Sequence, residues 1–224
     1  MTGGRIRCYF ICGPAARDRT PGQARRFGTE LNSAVPDARF LGAGPDGVRL
    51  ASGRWEIRAT PSVLKFEHEG LGVDWAEFRR LANGALAAYF NAFGPLLVET
   101  AVLGCALSLD FPAGPRGLSR VFQVYPVLTH PLAAGIENFR LGATFRGPHV
   151  GESFRVYLAG QPGPEPDRLG LVFELDYCRH FLGPVTPADA ADWLETAPVV
   201  FNQLLSGSLL ERENLGTQER GGPD

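Results

Sequence analysis

The sequence predicts an α+β protein in which a largely antiparallel sheet packs against three main helices. Segments in which apolar and polar residues alternate follow one another between short turns, as in antiparallel sheet. Only three stretches carry apolar residues at helical spacing, and strands and helices do not alternate regularly. The 224 residues, 44% hydrophobic and 21% charged, are enough to bury a core. We expect one domain over residues 1–215, divisible near residues 94–96 into two diverged β-α-β halves, and a disordered tail over residues 216–224.

The first half opens with a strand, because residues from Arg5 to Cys12 alternate between apolar and polar. Apolar residues at helical spacing then predict a helix that Pro36 ends. Four short β-type runs between residues 38 and 70 are separated by glycine, proline and aspartate, which predicts an antiparallel meander. These runs are Arg39 to Leu41, Val48 to Ala51, Trp55 to Ala59 and Val63 to His68.

The second helix starts at Asp74, with Glu77 in the spacing of a capping box, and ends at Gly94. The segment from Leu96 to Leu109 is apolar at nearly every position, which predicts a strand covered on both faces. Further strands are predicted at Arg120 to Leu128, Phe139 to Phe145, Ser153 to Leu158 and Leu169 to Phe181. Thr186 and Pro187 begin the last helix, because the Thr186 hydroxyl can cap its N-terminus and proline is favourable in the first turn.

Several chemistries are excluded by missing residues. Lys65 is the only lysine and no Gly-Lys-Ser/Thr is present, which removes a phosphate-binding loop. The run from Gly42 to Gly47 matches a dinucleotide fingerprint in spacing, but a strand-like segment follows it instead of a helix. The four cysteines form no Cys-x-x-Cys pair, and Gly-x-Ser-x-Gly is absent. We therefore predict no cofactor.

The candidate site is the strand from Leu169 to Phe181. Its alternation sends Phe173, Leu175, Tyr177 and Phe181 to one side and Glu174, Asp176, Cys178 and His180 to the other. Alternate residues of a strand are about 6.6 Å apart, so neighbouring side chains could share a metal ion or pair a thiolate with an imidazole. A tetrahedral metal site would need a further ligand, for which His68 and His130 are available. The simpler alternatives are the solvated face of an antiparallel sheet, or burial of Cys178 and His180 under the last helix.

Three arginines on adjacent predicted strands form a second candidate. Arg140, Arg146 and Arg155 could make a cationic patch for an anionic ligand, because the guanidinium group contacts phosphate and carboxylate in a bidentate manner. Exposed arginines are also ordinary on strands. The formal net charge of −2 gives no global attraction to nucleic acid.

Three segments of the chain form a recognisable pattern. They are the Asp74 helix with the strand Val98 to Leu109, the strand Leu171 to Tyr177, and the ending Ala191 to Glu195 with Phe201-Asn202. This pattern resembles a sporadically distributed, uncharacterised family of bacterial proteins of similar length. The family has no assigned chemistry, so the resemblance implies no catalytic residues. Its patchy distribution implies an accessory or conflict-system component.

No complete catalytic constellation is present, so the leading hypothesis is a cytosolic, non-catalytic binding or scaffolding protein that acts through a sheet face or groove. We expect a protein partner or a homo-oligomer, and a small ligand is a further possibility. The net charge does not favour nucleic acid. No apolar stretch approaches about 18 residues, so we expect no membrane span. The alternative is a metal-assisted or Cys/His biosynthetic enzyme that uses the polar face of strand 169–181.

Overall fold

The computed structural model of the chain describes residues 3–12, 21–35, 37–44, 47–60, 62–93, 98–112, 139–162, 168–183 and 185–205. The strands in this part are β1 (Gly3–Cys12), β2 (Arg39–Gly44), β3 (Gly47–Ser52), β4 (Trp55–Ala59), β5 (Val63–Glu69), β6 (Val98–Pro112), β7 (Phe139–Arg146), β8 (Glu152–Pro162) and β9 (Arg168–His180). The helices are α1 (Pro21–Ala34), α2 (Trp75–Phe93) and α3 (Pro187–Leu205). The predicted α+β class, with three helices and an antiparallel sheet, is confirmed.

All nine described strands belong to one sheet, in the order β2-β3-β4-β5-β1-β6-β9-β8-β7. Each neighbouring pair is antiparallel. The first strand, β1, lies in the middle of the sheet between β5 and β6. It therefore joins the meander of the N-terminal half to the long strands of the C-terminal half.

The strand order repeats itself on either side of the centre. The central strands β1 and β6 each pair with the last strand of their own half, β5 or β9, and the remaining strands continue outward as a meander. A helix follows the last strand in each half, α2 after β5 and α3 after β9. Along the sequence, as many residues separate β1 from β2 as separate β6 from β7. This order is what two diverged halves would produce, and the division expected near residues 94–96 lies outside the described residues.

The three helices form a layer on one face of the sheet, and the hydrophobic core lies between. In α3 the ring of Trp193 meets Phe10 of β1 edge-on at 5.6 Å between ring centroids. In α2 the ring of Phe78 meets Phe66 of β5 at 5.9 Å. Helix α1 joins this layer through Phe27, which contacts α2. Each such buried side chain contributes about 1.5–3 kcal/mol, so this face holds the fold together. None of the described helices combines the length and apolar character that a membrane span requires.

The helix starts that the sequence predicts are capped by side chains. The Asp74 carboxylate accepts hydrogen bonds from the backbone N–H groups of Ala76 at 2.9 Å and Glu77 at 3.1 Å. At α3 the Asp189 N–H donates to the Thr186 hydroxyl at 3.2 Å, and the Thr186 N–H donates to the Asp189 carboxylate at 2.8 Å. These bonds satisfy donors that have no partner within a helix, which explains where α2 and α3 begin.

The glycine-rich run from Gly42 to Gly47 ends in a hairpin. Gly44 of β2 pairs with Gly47 of β3, and a strand follows, so the helix required by a dinucleotide site is absent. Gly47 has φ +116°, and a Cβ atom there would collide with the carbonyl oxygen of Ala59. Glycine is therefore required at this position by local packing.

Two long strands extend further than their residues suggest. β6 continues past the predicted end at Leu109 to Pro112, and β8 continues past the predicted end at Leu158 to Pro162. Both extensions pair with the beginning of β9, so the antiparallel partner prolongs each strand beyond local propensity. The strand predicted from Arg120 to Leu128 and the tail 216–224 lie outside the described residues.

Candidate functional site

The alternation predicted for β9 is present in the structure. Its apolar side chains are buried on the helix-covered face: Leu171, Phe173, Leu175 and Tyr177. The four candidate residues point to the opposite face, which we call the polar face: Glu174, Asp176, Cys178 and His180. They differ in accessibility, since Cys178 is fully buried and His180 is exposed.

The centre of the polar face is organised by Arg7 of β1. Its Nη2 donates hydrogen bonds to Glu174 Oε2 at 2.8 Å and to Asp176 Oδ1 at 3.1 Å. Its Nε donates to the same Asp176 oxygen at 3.3 Å. The three side chains retain between 13% and 31% of their exposure, so water only partly screens the charges. The structure thus brings two of the four candidates together around a residue that the sequence did not single out.

Strand register explains how Arg7 reaches across the sheet. Arg7 lies opposite Gly104 of β6, Gly104 lies opposite Asp176 of β9, and Asp176 lies opposite Arg155 of β8. A Cβ atom at Gly104 would overlap Oδ1 of Asp176 and approach the carbonyl oxygen of Leu175 at 2.8 Å. The missing side chain therefore makes the space in which the Asp176 carboxylate meets the guanidinium group.

The pKa shifts follow from this half-buried cluster. Burial raises the pKa of Asp176, while the Arg7 charge and hydrogen bonds oppose that rise. Burial also raises the pKa of Tyr9 to about 12, helped by the negative charge of Asp176. For Arg7, burial alone would lower the pKa, but hydrogen bonds and charges from Glu174 and Asp176 outweigh it and raise the pKa. The guanidinium group and the phenol therefore keep their protons at neutral pH.

Cys178 lies beside this cluster but is not an activated thiol. Burial raises its pKa, the charge of Asp176 adds to the rise, and Arg155 opposes it. A cysteine nucleophile needs the thiolate, which a raised pKa disfavours. Like Cys8, Cys12 and Cys105, Cys178 is buried and forms no disulfide. This arrangement fits a packed thiol better than a catalytic one.

The histidines do not complete a metal site among the described residues. His180 Nδ1 lies 3.0 Å from the hydroxyl of Thr100, at the end of β9. His68 is on the helix-covered face, where it is buried against Trp55 and its Nδ1 lies 3.1 Å from the carbonyl oxygen of Gly70. It therefore cannot join the candidate residues of β9 on the polar face, and His130 lies outside the described residues. Within the described ranges no three side chains of His, Cys, Asp or Glu converge on a metal position.

The three predicted arginines lie on the polar face together with the candidate residues of β9. Arg155 of β8 lies opposite both Asp176 and Thr144, and Arg140 and Arg146 lie on the same face of β7 as Thr144. All three arginines are exposed. None makes an ion pair within the part of the chain that the structure describes. The structure thus places the three arginines and the candidate residues of β9 on one surface. Arg155 is the arginine that lies opposite Asp176.

The opposite face holds a charged pair that the sequence did not indicate. Glu152 is buried, and its Oε1 accepts a hydrogen bond from Arg179 Nη1 at 3.1 Å. Its Oε2 accepts one from the backbone N–H of His149 at 3.3 Å. The Arg179 guanidinium lies 5.7 Å from the ring centroid of Phe181, beside a cavity of about 400 Å³ at the start of α3. With both carboxylate oxygens satisfied, we interpret this pair as a structural tie between β8 and β9.

The sequence contains one weak signal for the residues that were missed. Arg7 and Tyr9 alternate with the buried Ile6, Cys8 and Phe10, so their side of β1 can be predicted. Their partners lie 167 and 169 residues away, as in the bonds from Arg7 to β9. No local pattern indicates that pairing, because it depends on which strands are neighbours.

Comparison with known proteins gives no identity. No protein-family model matches the chain, and no curated protein matches it. Among solved structures the chain is similar to the crystal structure of the di-domain ARO/CYC StfQ from the steffimycin biosynthetic pathway. The sequence identity is 9%, the TM-score is 0.20, and the match covers 94% of this chain and 96% of that chain. A TM-score this low carries no argument, and the resemblance to the uncharacterised bacterial family stays a prediction.

Proposed function

We propose that this protein is a cytosolic, non-catalytic binding or scaffolding protein that contacts a protein partner through the polar face of its sheet. The Arg7 cluster, which we define as Arg7, Tyr9, Arg155, Glu174 and Asp176, would lie at the centre of the contact. The observation that carries the proposal is the placement of all three described helices on the other face. None of the described helices therefore covers the polar face, and ordered charged groups lie in its middle.

The composition of the cluster supports recognition of a protein. Arginine and tyrosine are enriched among the residues that dominate protein–protein binding energy, because they offer large contact areas and several hydrogen bonds. Arg7 is already held by hydrogen bonds to Glu174 and Asp176, so less side-chain entropy is lost on binding. Arg155 and Tyr9 lie beside these carboxylates and provide the outward polar groups.

The enzyme alternative has less support from the same surface. It requires Cys178 as a nucleophile or ligand, yet burial raises the pKa of that thiol. It also requires His180 near a second group, whereas the described partner of His180 is the hydroxyl of Thr100. The carboxylates of Glu174 and Asp176 already accept hydrogen bonds from Arg7, which leaves fewer lone pairs for a metal ion.

The test compares partner capture by three forms of the full chain. Tagged wild-type protein, the Tyr9→Ser/Arg155→Glu variant and an Arg80→Glu control are incubated with lysate of cells that naturally make the protein. Retained proteins are quantified by mass spectrometry, and circular dichroism checks the folding of each form. Arg80 is exposed on α2, on the far side of the sheet, so its reversal matches the charge change without touching the polar face.

We expect a specific protein to be retained in stoichiometric amount by the wild type and the Arg80→Glu control and to be lost from the polar-face variant. Purified partner should then bind with affinity that falls as salt rises, as for charged interfaces. Equal retention by all three forms would show that the polar face is not the contact surface. Rapid turnover of a substrate that requires Cys178 would instead support the enzyme alternative.

A further inference from the structure

The two edge strands of the described sheet, β2 and β7, are not equivalent. Strand β2 has six residues, and its pairing with β3 is interrupted by a bulge between Phe40 and Gly42. Strand β7 has eight residues and pairs with β8 in continuous register, without proline, lysine or bulge. Proteins commonly use these devices to prevent an edge from pairing with another chain. The described β7 has none of these three, although Arg140 and Arg146 give it charged side chains that also discourage pairing. Among the described strands none pairs with its outer row of backbone N–H and C=O groups, so this row is suited to receive a further strand.

The side chains of β7 differ between its two faces. On the polar face the strand presents Arg140, Thr144 and Arg146, all exposed. On the helix side it presents Leu141 and Phe145. These side chains lie on the same face as the hydrophobic core but are 37% and 55% exposed. A strand that pairs with β7 would therefore contact cationic side chains on one face and apolar side chains on the other.

The charge of this edge selects the partner. Arg155 of β8 lies opposite Thr144, which is on the same face of β7 as Arg140 and Arg146, so three arginines line the polar face near this edge. Across the sheet Arg155 lies opposite Asp176 of β9, which already accepts hydrogen bonds from Arg7. In antiparallel sheets, opposite charges on directly opposed residues stabilise pairing and like charges destabilise it.

The same charges argue against a second copy of this chain at the edge. A two-fold pairing of β7 with itself centred on Ala143 would place Arg140 of one copy opposite Arg146 of the other. Two such contacts would oppose association. Nucleic acid would use the arginines but would leave Leu141 and Phe145 and the backbone row without a function.

We propose that the β7 edge binds an extended segment of a protein partner in which acidic residues alternate with apolar ones. The segment would add a tenth strand beside β7, with its carboxylates facing Arg140 and Arg146 and its apolar side chains facing Leu141 and Phe145. Such strand addition derives its affinity from main-chain hydrogen bonds and its specificity from alternate side chains. This inference rests on the proposed function, because it names the segment by which the partner is held.

The experiment uses synthetic eight-residue peptides and the full chain. One labelled peptide alternates glutamate with valine, a second replaces each glutamate by lysine, and two further peptides carry backbone N-methyl groups on one or the other alternate set of the acidic peptide. Binding is measured by fluorescence anisotropy with the wild type, an Arg140→Glu/Arg146→Glu variant and an Arg39→Glu control on the opposite edge strand. Light scattering measures the mass of each protein form.

We expect the acidic peptide to bind the wild type and the Arg39→Glu control, and to bind the β7 variant at least about tenfold more weakly. N-methylation of one alternate set should abolish binding, because it blocks the edge that pairs with β7, and the lysine peptide should not bind. Binding that ignores both N-methyl sets would mean a charge contact without strand addition and would overturn the proposal. So would preference for a single-stranded oligonucleotide, or a homodimer that the β7 variant loses.

Absence of peptide binding up to about 1 mM, a very weak affinity, would also overturn the proposal, and it is the result expected if another part of the chain covers β7. This failure is distinguishable from failure of the proposed function. A partner that is retained by the wild type and lost from the Tyr9→Ser/Arg155→Glu variant would keep the polar face as the contact surface even if β7 bound no peptide.

Discussion

Replacing Arg7 with methionine should destabilise the fold through the two carboxylates it leaves behind. Methionine keeps an unbranched apolar stem but lacks the guanidinium group, so the charge and the bonds to Glu174 and Asp176 are lost. Removing one partner of a fully buried ion pair costs about 3–5 kcal/mol, and because Arg7 and Asp176 keep 22% and 13% of their exposure we expect about 2 kcal/mol. Urea unfolding at about pH 7, followed by tryptophan fluorescence, measures the loss.

The loss should depend on pH in a defined direction. Burial raises the pKa of Asp176, so between its unfolded and folded pKa values the folded protein binds more protons and stability falls as pH rises. Without Arg7 the pKa of Asp176 rises further. The difference between Arg7→Met and wild type should therefore be largest at about pH 7 and shrink as the pH falls and Asp176 becomes protonated.

An Arg49→Met variant is the matched control, because Arg49 and Glu56 also form a 2.9 Å pair on the sheet but are more exposed, at 52% and 33%. It should shift the unfolding midpoint much less. The reasoning would be refuted if Arg7→Met were no more destabilising than Arg49→Met, or if its loss grew as pH fell.

Three further predictions concern packing and reactivity. Gly104→Ala should lower the free energy of unfolding by about 1–3 kcal/mol, because the added Cβ has no space. Gly142→Ala should change it little, because the nearest atom to its Cβ is at 3.8 Å. Thermal unfolding compares the two variants, and equal midpoints would contradict the packing argument. Phe201→Ala should lower the free energy of unfolding by about 3–5 kcal/mol because the ring is fully buried. Val199 is 57% exposed, so Val199→Ala should change it by no more than about 0.5 kcal/mol. Urea unfolding measures both, and similar losses would place the ring outside the core. Ellman's reagent should label none of the buried thiols quickly at neutral pH, and a fast thiol that disappears in Cys178→Ser would revive the enzyme hypothesis.

Much of the candidate site could be predicted because strand alternation is a local property. The side of β9 that carries Glu174 and Asp176 follows from the two-residue period alone. The same period predicts which side of β1 carries Arg7. What could not be predicted is that these sides meet, since Arg7 reaches Asp176 only because β6 separates the two strands and has Gly104 at the crossing.

The sequence also left the burial of single residues open. Cys178 belongs to the polar side of its strand, but it is fully buried in the folded chain, and burial raises its pKa. His68 was a candidate for joining His180, yet it lies on the other face beside Trp55. In both residues the environment is decided by neighbours far away in the chain.

The sequence by itself determined the class of the fold, most element positions and the two faces of each strand, because hydrophobic period, turn residues and helix caps act over a few residues. Tertiary structure alone decided the strand order, the cluster around Arg7 and the exposed β7 edge. These depend on contacts between residues up to 169 positions apart, whose pairing is selected by the packing of the whole sheet.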